Sequence, residues 1–171
     1  LHFFFGLGAA LSPVIFAQML RLTGDITWGY WIIGLLTFPI SFWLFRLPSP
    51  DRPKKIDDTT SGSVDAYLLG LIITLFFLFV SAEVSLGGWI ATYVFRSDLA
   101  DEASAADLTF AFWAALTVGR LLSIPMAMRI SVKYILGADL FLCLIGVGLI
   151  IGWPQTLTVI WLGTSIFGLG V

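Results

Sequence analysis

The sequence predicts an all-α, polytopic membrane protein, and three observations carry that prediction. Hydrophobic residues make up 58% of the chain and charged residues 12%, whereas a soluble domain has about half and about a quarter. Mean hydropathy is +0.98. The apolar residues fall into runs close to the length of about 20 residues that lets a helix cross a bilayer, and polar connections separate them. A net charge of -2 leaves no basic surface for nucleic acid.

Six segments meet or approach the spanning length. The first, Leu1 to Leu20, contains FFFGLGAALSP; Gly6, Gly8, Pro13 and the alanines predict a closely packed, kinkable helix. His2, the single histidine, has no second imidazole to work with. The second segment, Trp28 to Phe45, is uncharged and rich in Trp and Phe, which predicts a lipid-facing helix. The stretch LPSPDRPKKIDDTTSGSVD follows, with nothing to bury, and reads as a polar linker. It divides the chain into 1–46, a linker at 47–65, and 66–171.

The third segment, Ala66 to Phe95, exceeds what a bilayer requires. The fourth runs from Leu108 to Met128, the fifth from Tyr134 to Ile151, and the sixth begins near Leu157. The chain opens at Leu1 inside apolar sequence and stops at Val171 in mid-run, so the expectation is an internal piece of a longer membrane protein whose other helices would be its packing partners.

Basic residues in short loops set orientation. Arg46, Arg52, Lys54 and Lys55 mark the linker, and Arg129 and Lys133 the fourth-to-fifth connection. The opposite side carries Arg21 and Arg96 and an acidic connection with Asp98, Asp101, Glu102 and Asp107. The linker is therefore expected in the cytoplasm, and all six segments alternate consistently with that choice. The membrane is expected to be a plasma membrane or a bacterial inner membrane.

A charge inside a spanning segment costs about 2.5–3.5 kcal/mol on translocon scales and usually faces a cavity or a partner. Glu83, Arg120 and Asp139 are the candidates. Glu83 precedes Phe95 by 12 residues and Arg120 follows Asp107 by 13, which puts both roughly 18–20 Å below the outer boundary. Two readings are open: a structural ion pair, or residues lining a solute path.

Gly87 and Gly88, one turn after Glu83, open a similar choice between a helix break that frees backbone groups for a ligand and close packing through small residues. Trp113, Thr117 and Arg120 share one helical face. Such a stripe suits a sugar or carboxylate, and equally a helix–helix contact. Trp89 and Tyr93 are sugar-stacking or interfacial-belt residues, the belt being favoured for Tyr93. Asp139, six residues after Lys133, is expected to pair with Arg129 or Lys133. Cys143 is the single cysteine, which excludes an internal disulfide and a C-x-x-C metal site. H-E-x-x-H, G-x-S-x-G and Walker patterns do not occur, so neither an enzyme nor a bound metal or cofactor is expected.

Taken together, these residues resemble the major facilitator superfamily of secondary transporters. SAEVSLGGWIATYVF and FWAALTVGRLLSIPMAMRISVKYIL are similar to the seventh and eighth helices of the branch containing sodium-dependent glucose transporter-like proteins and, more remotely, the bacterial fucose permeases. HFFFGLGAALSP is similar to its fifth helix. The superfamily loop motif G-x-x-x-D-[RK]-x-G-[RK]-[RK] is echoed by Arg129 and Lys133, with Met128 in place of Asp and Ser131 in place of Gly.

The resemblance implies that the six segments match helices five to ten of twelve. Residues 1–46 would then hold the last two helices of the first half, 47–65 the central cytoplasmic linker, and 66–171 the first four helices of the second half. It implies a cavity-facing seventh helix, which makes Glu83 the leading site residue, with Arg120, Trp113, Thr117 and Trp89 beside it. It also implies peripheral sixth and ninth helices, with Asp139 away from the cavity. The function implied is uptake of a small polar solute, a hexose above all, by alternating access with H+ or Na+ as coupling ion. The rivals are a drug or metabolite exporter of the same superfamily and a non-transporting receptor or scaffold.

The orientation has a direct check. With an impermeant thiol reagent applied from outside, an Asp101→Cys variant should be modified and a Lys54→Cys variant spared; the opposite labelling pattern inverts the topology.

Overall fold

A computed structural model describes residues 2–48 and 65–171, with side chains from Phe4 onward in the first stretch. Almost all of the linker expected at 47–65, with Lys54 and Lys55, and the side chain of His2 lie outside the described residues. Six helices account for nearly all the rest: α1 (His2–Thr23), α2 (Thr27–Arg46), α3 (Ala66–Arg96), α4 (Glu102–Ala127), α5 (Val132–Gly152) and α6 (Leu157–Gly170). No strand occurs among the described residues. The first five helices are long and apolar enough to cross a membrane, and α6 is a shorter apolar helix.

The helix bounds follow the predicted segments with one difference. α4 starts at Glu102, six residues before the predicted Leu108. The Asp101 carboxylate caps it, accepting a hydrogen bond from the Ser104 amide, and these contacts with Ser104 hold the Asp101 carboxyl below the ordinary carboxylate range. The acidic connection is thus a five-residue turn, 97–101, followed by a helix. Asp98 adopts a left-handed conformation there, with φ of 55°.

α4 is the central post and packs on α1, α3 and α6, while α5 lies against α6 and α2 against α1 alone. The core has two buried clusters. Ile90 and Val94 of α3, Ala105 and Leu108 of α4 and Ile160 of α6 form one. Phe112 and Leu116 of α4 with Phe167 of α6 form the other. Outside these clusters large apolar side chains stand exposed, such as Phe38, Phe45, Tyr67 and Phe77. In water such a surface would drive aggregation; against acyl chains it costs nothing. Only Gly29 of α2 is buried, as the lipid-facing reading of that segment requires.

Contacts at the helix ends fix which termini share a side. Arg21 at the end of α1 pairs with Asp107 near the start of α4. The Tyr93 hydroxyl, near the end of α3, donates to the Pro154 carbonyl in the α5–α6 turn at 2.8 Å. Tyr93 thus ties the end of α3 to the α5–α6 turn. Both contacts agree with alternating passage of the six helices.

Lipid gives no hydrophobic drive for one apolar helix to bind another, so close van der Waals approach must supply the contact. The α5–α6 pair shows how. A Cβ built on Gly163 would sit 2.7 Å from the Gly146 carbonyl oxygen, and one on Gly146 would sit 2.6 Å from that of Gly163. Gly163→Val should destabilise the protein by about 1–3 kcal/mol through overpacking, read as a lower midpoint for loss of the monodisperse peak after heating in detergent. Gly148 meets nothing within 4 Å, so Gly148→Ala should leave that midpoint unchanged or raise it. Equal behaviour of the two variants would mean that the helices do not touch at Gly163.

Candidate functional site

Glu83, Gly87, Ile90 and Val94 are the buried residues of α3, and their spacing of four, three and four puts them on one face. On α4 the buried Leu108, Phe112 and Leu116 continue one turn further to Arg120. The two faces run antiparallel. At Gly87 the absent side chain makes room for the Phe112 ring, with Trp113 beside it. That close approach brings within reach of each other Glu83, one turn before the glycine, and Arg120, two turns beyond the ring. Arg120 Nη2 donates to Glu83 Oε2 at 3.1 Å.

The pair is asymmetric. Glu83 is buried and the Arg120 side chain is 26% exposed. A single guanidinium nitrogen makes the bond, and Glu83 Oε1 accepts no hydrogen bond among the described residues. A guanidinium carries five N–H donors and a carboxylate offers about four acceptor positions, so both groups keep unused capacity. Arg120 and Thr117 line a cleft of about 390 Å³ with Phe76, Phe79, Leu121, Ile124 and Val171. This is within the size range of small-ligand sites.

The other expected residues are distributed differently. Thr117 lines the same cleft, but its hydroxyl donates to the Trp113 carbonyl at 2.8 Å and abuts Gly6 of α1. Trp113 packs edge-on against Phe5 of α1, centroids 5.9 Å apart, and against Phe112 at 5.1 Å. Both therefore serve the α1–α4 contact. Trp89 is 69% exposed and, six residues from Glu83, lies about 240° round the helix from it. The structure does not bring it to the pair.

Of the two readings open at Gly87 and Gly88, the helix break does not occur: α3 runs unbroken from Ala66 to Arg96. Gly87 serves packing, and Gly88 meets nothing within 4 Å. The pairing expected for Asp139 is also absent. No ion pair joins it to Arg129 or Lys133, because a six-residue offset turns it away from the Lys133 face. The Lys133 ammonium sits instead 4.9 Å from the Tyr134 ring centre. Asp139 is half-buried on α5 where Gly170 of α6 meets its carbonyl.

The Arg21–Asp107 pair escaped the sequence reading. Its signal is in the sequence, since Arg21 follows the first segment and Asp107 lies at the same level, but the acidic run from Asp98 to Asp107 has the composition of a loop.

Comparisons with known proteins agree with this architecture. The chain is 25% identical to sodium-dependent glucose transporter 1 of Xenopus laevis across 98% of this chain and 40% of that protein. It is 25% identical to sodium-dependent glucose transporter 1A of Mus musculus, across 84% of this chain and 35% of the other. It is 22% identical to major facilitator superfamily domain-containing protein 4B of Danio rerio, across 99% and 48%. The chain thus spans less than half the length of these relatives. No family model and no solved structure matches it. With its helices long and apolar enough to cross a bilayer, the chain is an all-α, multi-pass membrane protein that resembles part of a major facilitator superfamily transporter.

Proposed function

We propose that the chain supplies part of the solute path of a secondary transporter for a small polar solute, a hexose or related sugar, working by alternating access with Na+ or H+ as coupling ion. One observation carries this reading. A buried carboxylate, Glu83, is held by one nitrogen of Arg120 and has no partner at Oε1 among the described residues, while Arg120 itself opens on a cleft. Hard cations take oxygen ligands, and that oxygen is where a coupling ion would bind. The free guanidinium donors would meet solute hydroxyl oxygens, with the Phe76 and Phe79 rings as apolar wall. The names of the relatives, sodium-dependent glucose transporters, support the same solute and ion.

In this reading 1–46 and 66–171 belong to two halves that move against each other, with 47–65 joining them. The contact between α1 and α4 would be the seam between the halves. Thr117, Trp113 and Gly6 would be the parts of it nearest the cleft.

Replacing Glu83 by Gln keeps the shape and removes the charge. In proteoliposomes holding the intact protein, Glu83→Gln should abolish accumulation of labelled D-glucose against its gradient while exchange down the gradient persists. Near-normal concentrative uptake by this variant would overturn the assignment.

Stability separates ion binding from simple neutralisation. Breaking a buried pair on one side costs about 3–5 kcal/mol, and partial exposure of Arg120 reduces that to about 1–3. If Glu83 only neutralises Arg120, Glu83→Gln should lower the melting midpoint, and the double change Glu83→Gln with Arg120→Gln should recover both midpoint and uptake. If Glu83 binds the ion, the double variant recovers the midpoint alone.

A further inference from the structure

A second cleft, of about 510 Å³, opens where α1, α2, α3 and α4 meet near the Asp98–Asp107 end of the bundle. The Arg21–Asp107 pair stands at its edge, next to Leu20 and Ala106, which line it. It is separate from the cleft at Arg120. Thr92, on its wall, lies nine residues along α3 from Glu83, about 14 Å at the rise of a helix and on the opposite face.

The polar lining is specific in kind. Ser12, Thr92 and Thr109, from three different helices, are half-buried and line the cleft. Helical hydroxyls commonly bond back to a carbonyl three or four residues earlier, as Thr37, Ser41, Thr74, Thr117 and Ser123 do. Ser12, Thr92 and Thr109 make no such bond, and their hydroxyls have no partner among the described residues. Arg96 and Glu102 are exposed lining residues, and neither is in an ion pair among the described residues. The Phe16 and Tyr30 rings, 4.8 Å apart and edge-to-face, form an apolar side.

We infer that this cleft is a binding site for a neutral polyhydroxylated solute of monosaccharide size, distinct from the Glu83–Arg120 site. Three neutral hydroxyls can each donate and accept, which matches a ligand whose own groups are hydroxyls. An ionic solute would call for charges in the half-buried wall, and the two charges here are exposed. The rings offer a face for the C–H side of a sugar. The size falls within the range of small-ligand pockets. The solute class is that of the proposed transport function, but the site does not depend on Glu83.

The test is substrate protection in the intact protein in proteoliposomes, in a background with Cys143→Ala and any other native thiol removed. Thr109→Cys and Ser12→Cys are each modified with an impermeant methanethiosulfonate from the Asp98–Asp107 side, with Gln155→Cys in the α5–α6 turn as control. D-glucose should slow modification of Thr109→Cys and Ser12→Cys in a saturable manner, by about ten-fold at a concentration ten times its dissociation constant. It should leave Gln155→Cys unaffected. The protection should survive in the Glu83→Gln background.

Protection without concentrative uptake by the parent protein would sink the transport reading and keep this site. Uptake without protection would do the reverse. The site is overturned if both cysteines react at rates indifferent to D-glucose, if neither reacts from that side, or if L-leucine protects as well as the sugar does. Should Thr109→Cys fail to reach the membrane, Ser12→Cys carries the measurement.

Discussion

The separation of α3 and α4 is set at Gly87, where the Phe112 ring occupies the space of a missing side chain. The rest of the site follows from that contact. With the helices this close, a carboxylate one turn before the glycine meets a guanidinium two turns beyond the ring. A side chain at Gly87 would push the axes apart, and the charges would have to find water or other partners in a medium that offers neither. The glycine is thus a spacing device, and its service to the buried charge is indirect.

α4 extends the same principle in three directions. It meets α3 through Gly87, α6 through Gly119 and Gly168, and α1 through Gly6, each time with a glycine on one side of the contact. Such contacts hold apolar helices together where no water is available to be expelled. They leave the outward faces free to be uniformly greasy, as on α2. Polar groups then gather beside these contacts: Glu83 with Arg120 next to the Gly87 contact, and Ser12, Thr92 and Thr109 around the second cleft.

Much of this was legible in the sequence. Long apolar runs located the helices because length and hydropathy are one-dimensional properties. The meeting of Glu83 and Arg120 was legible for a related reason: depth in an antiparallel hairpin can be counted. Facing is harder to count. Trp89 sits only one residue past the glycine pair but points away, and Asp139 is near Lys133 in sequence yet turned to another face. Gly87 and Gly88 are alike in sequence, and only the neighbouring Phe112 distinguishes a packed glycine from an idle one. The early start of α4 was masked by its acidic composition, although Asp101 and Ser104 carry the spacing of a cap. The hydroxyl-lined cleft was beyond reach, since its groups come from three helices and gain meaning only from what they fail to bond.

The position of Glu83 also has a bearing on how the chain is made. A membrane protein is threaded into the bilayer from its amino end, so α3 enters the translocon before α4 exists. Arg120 is 37 residues behind Glu83, and for that interval the carboxylate is without this counter-charge. A charge near a helix centre subtracts about 2.5–3.5 kcal/mol from insertion. The remainder of α3, 31 residues long with a mean hydropathy of 2.2 over its most apolar window, is what draws the acid into lipid ahead of its partner. The length and greasiness of this helix thus offset the charge during insertion as well as in the finished fold.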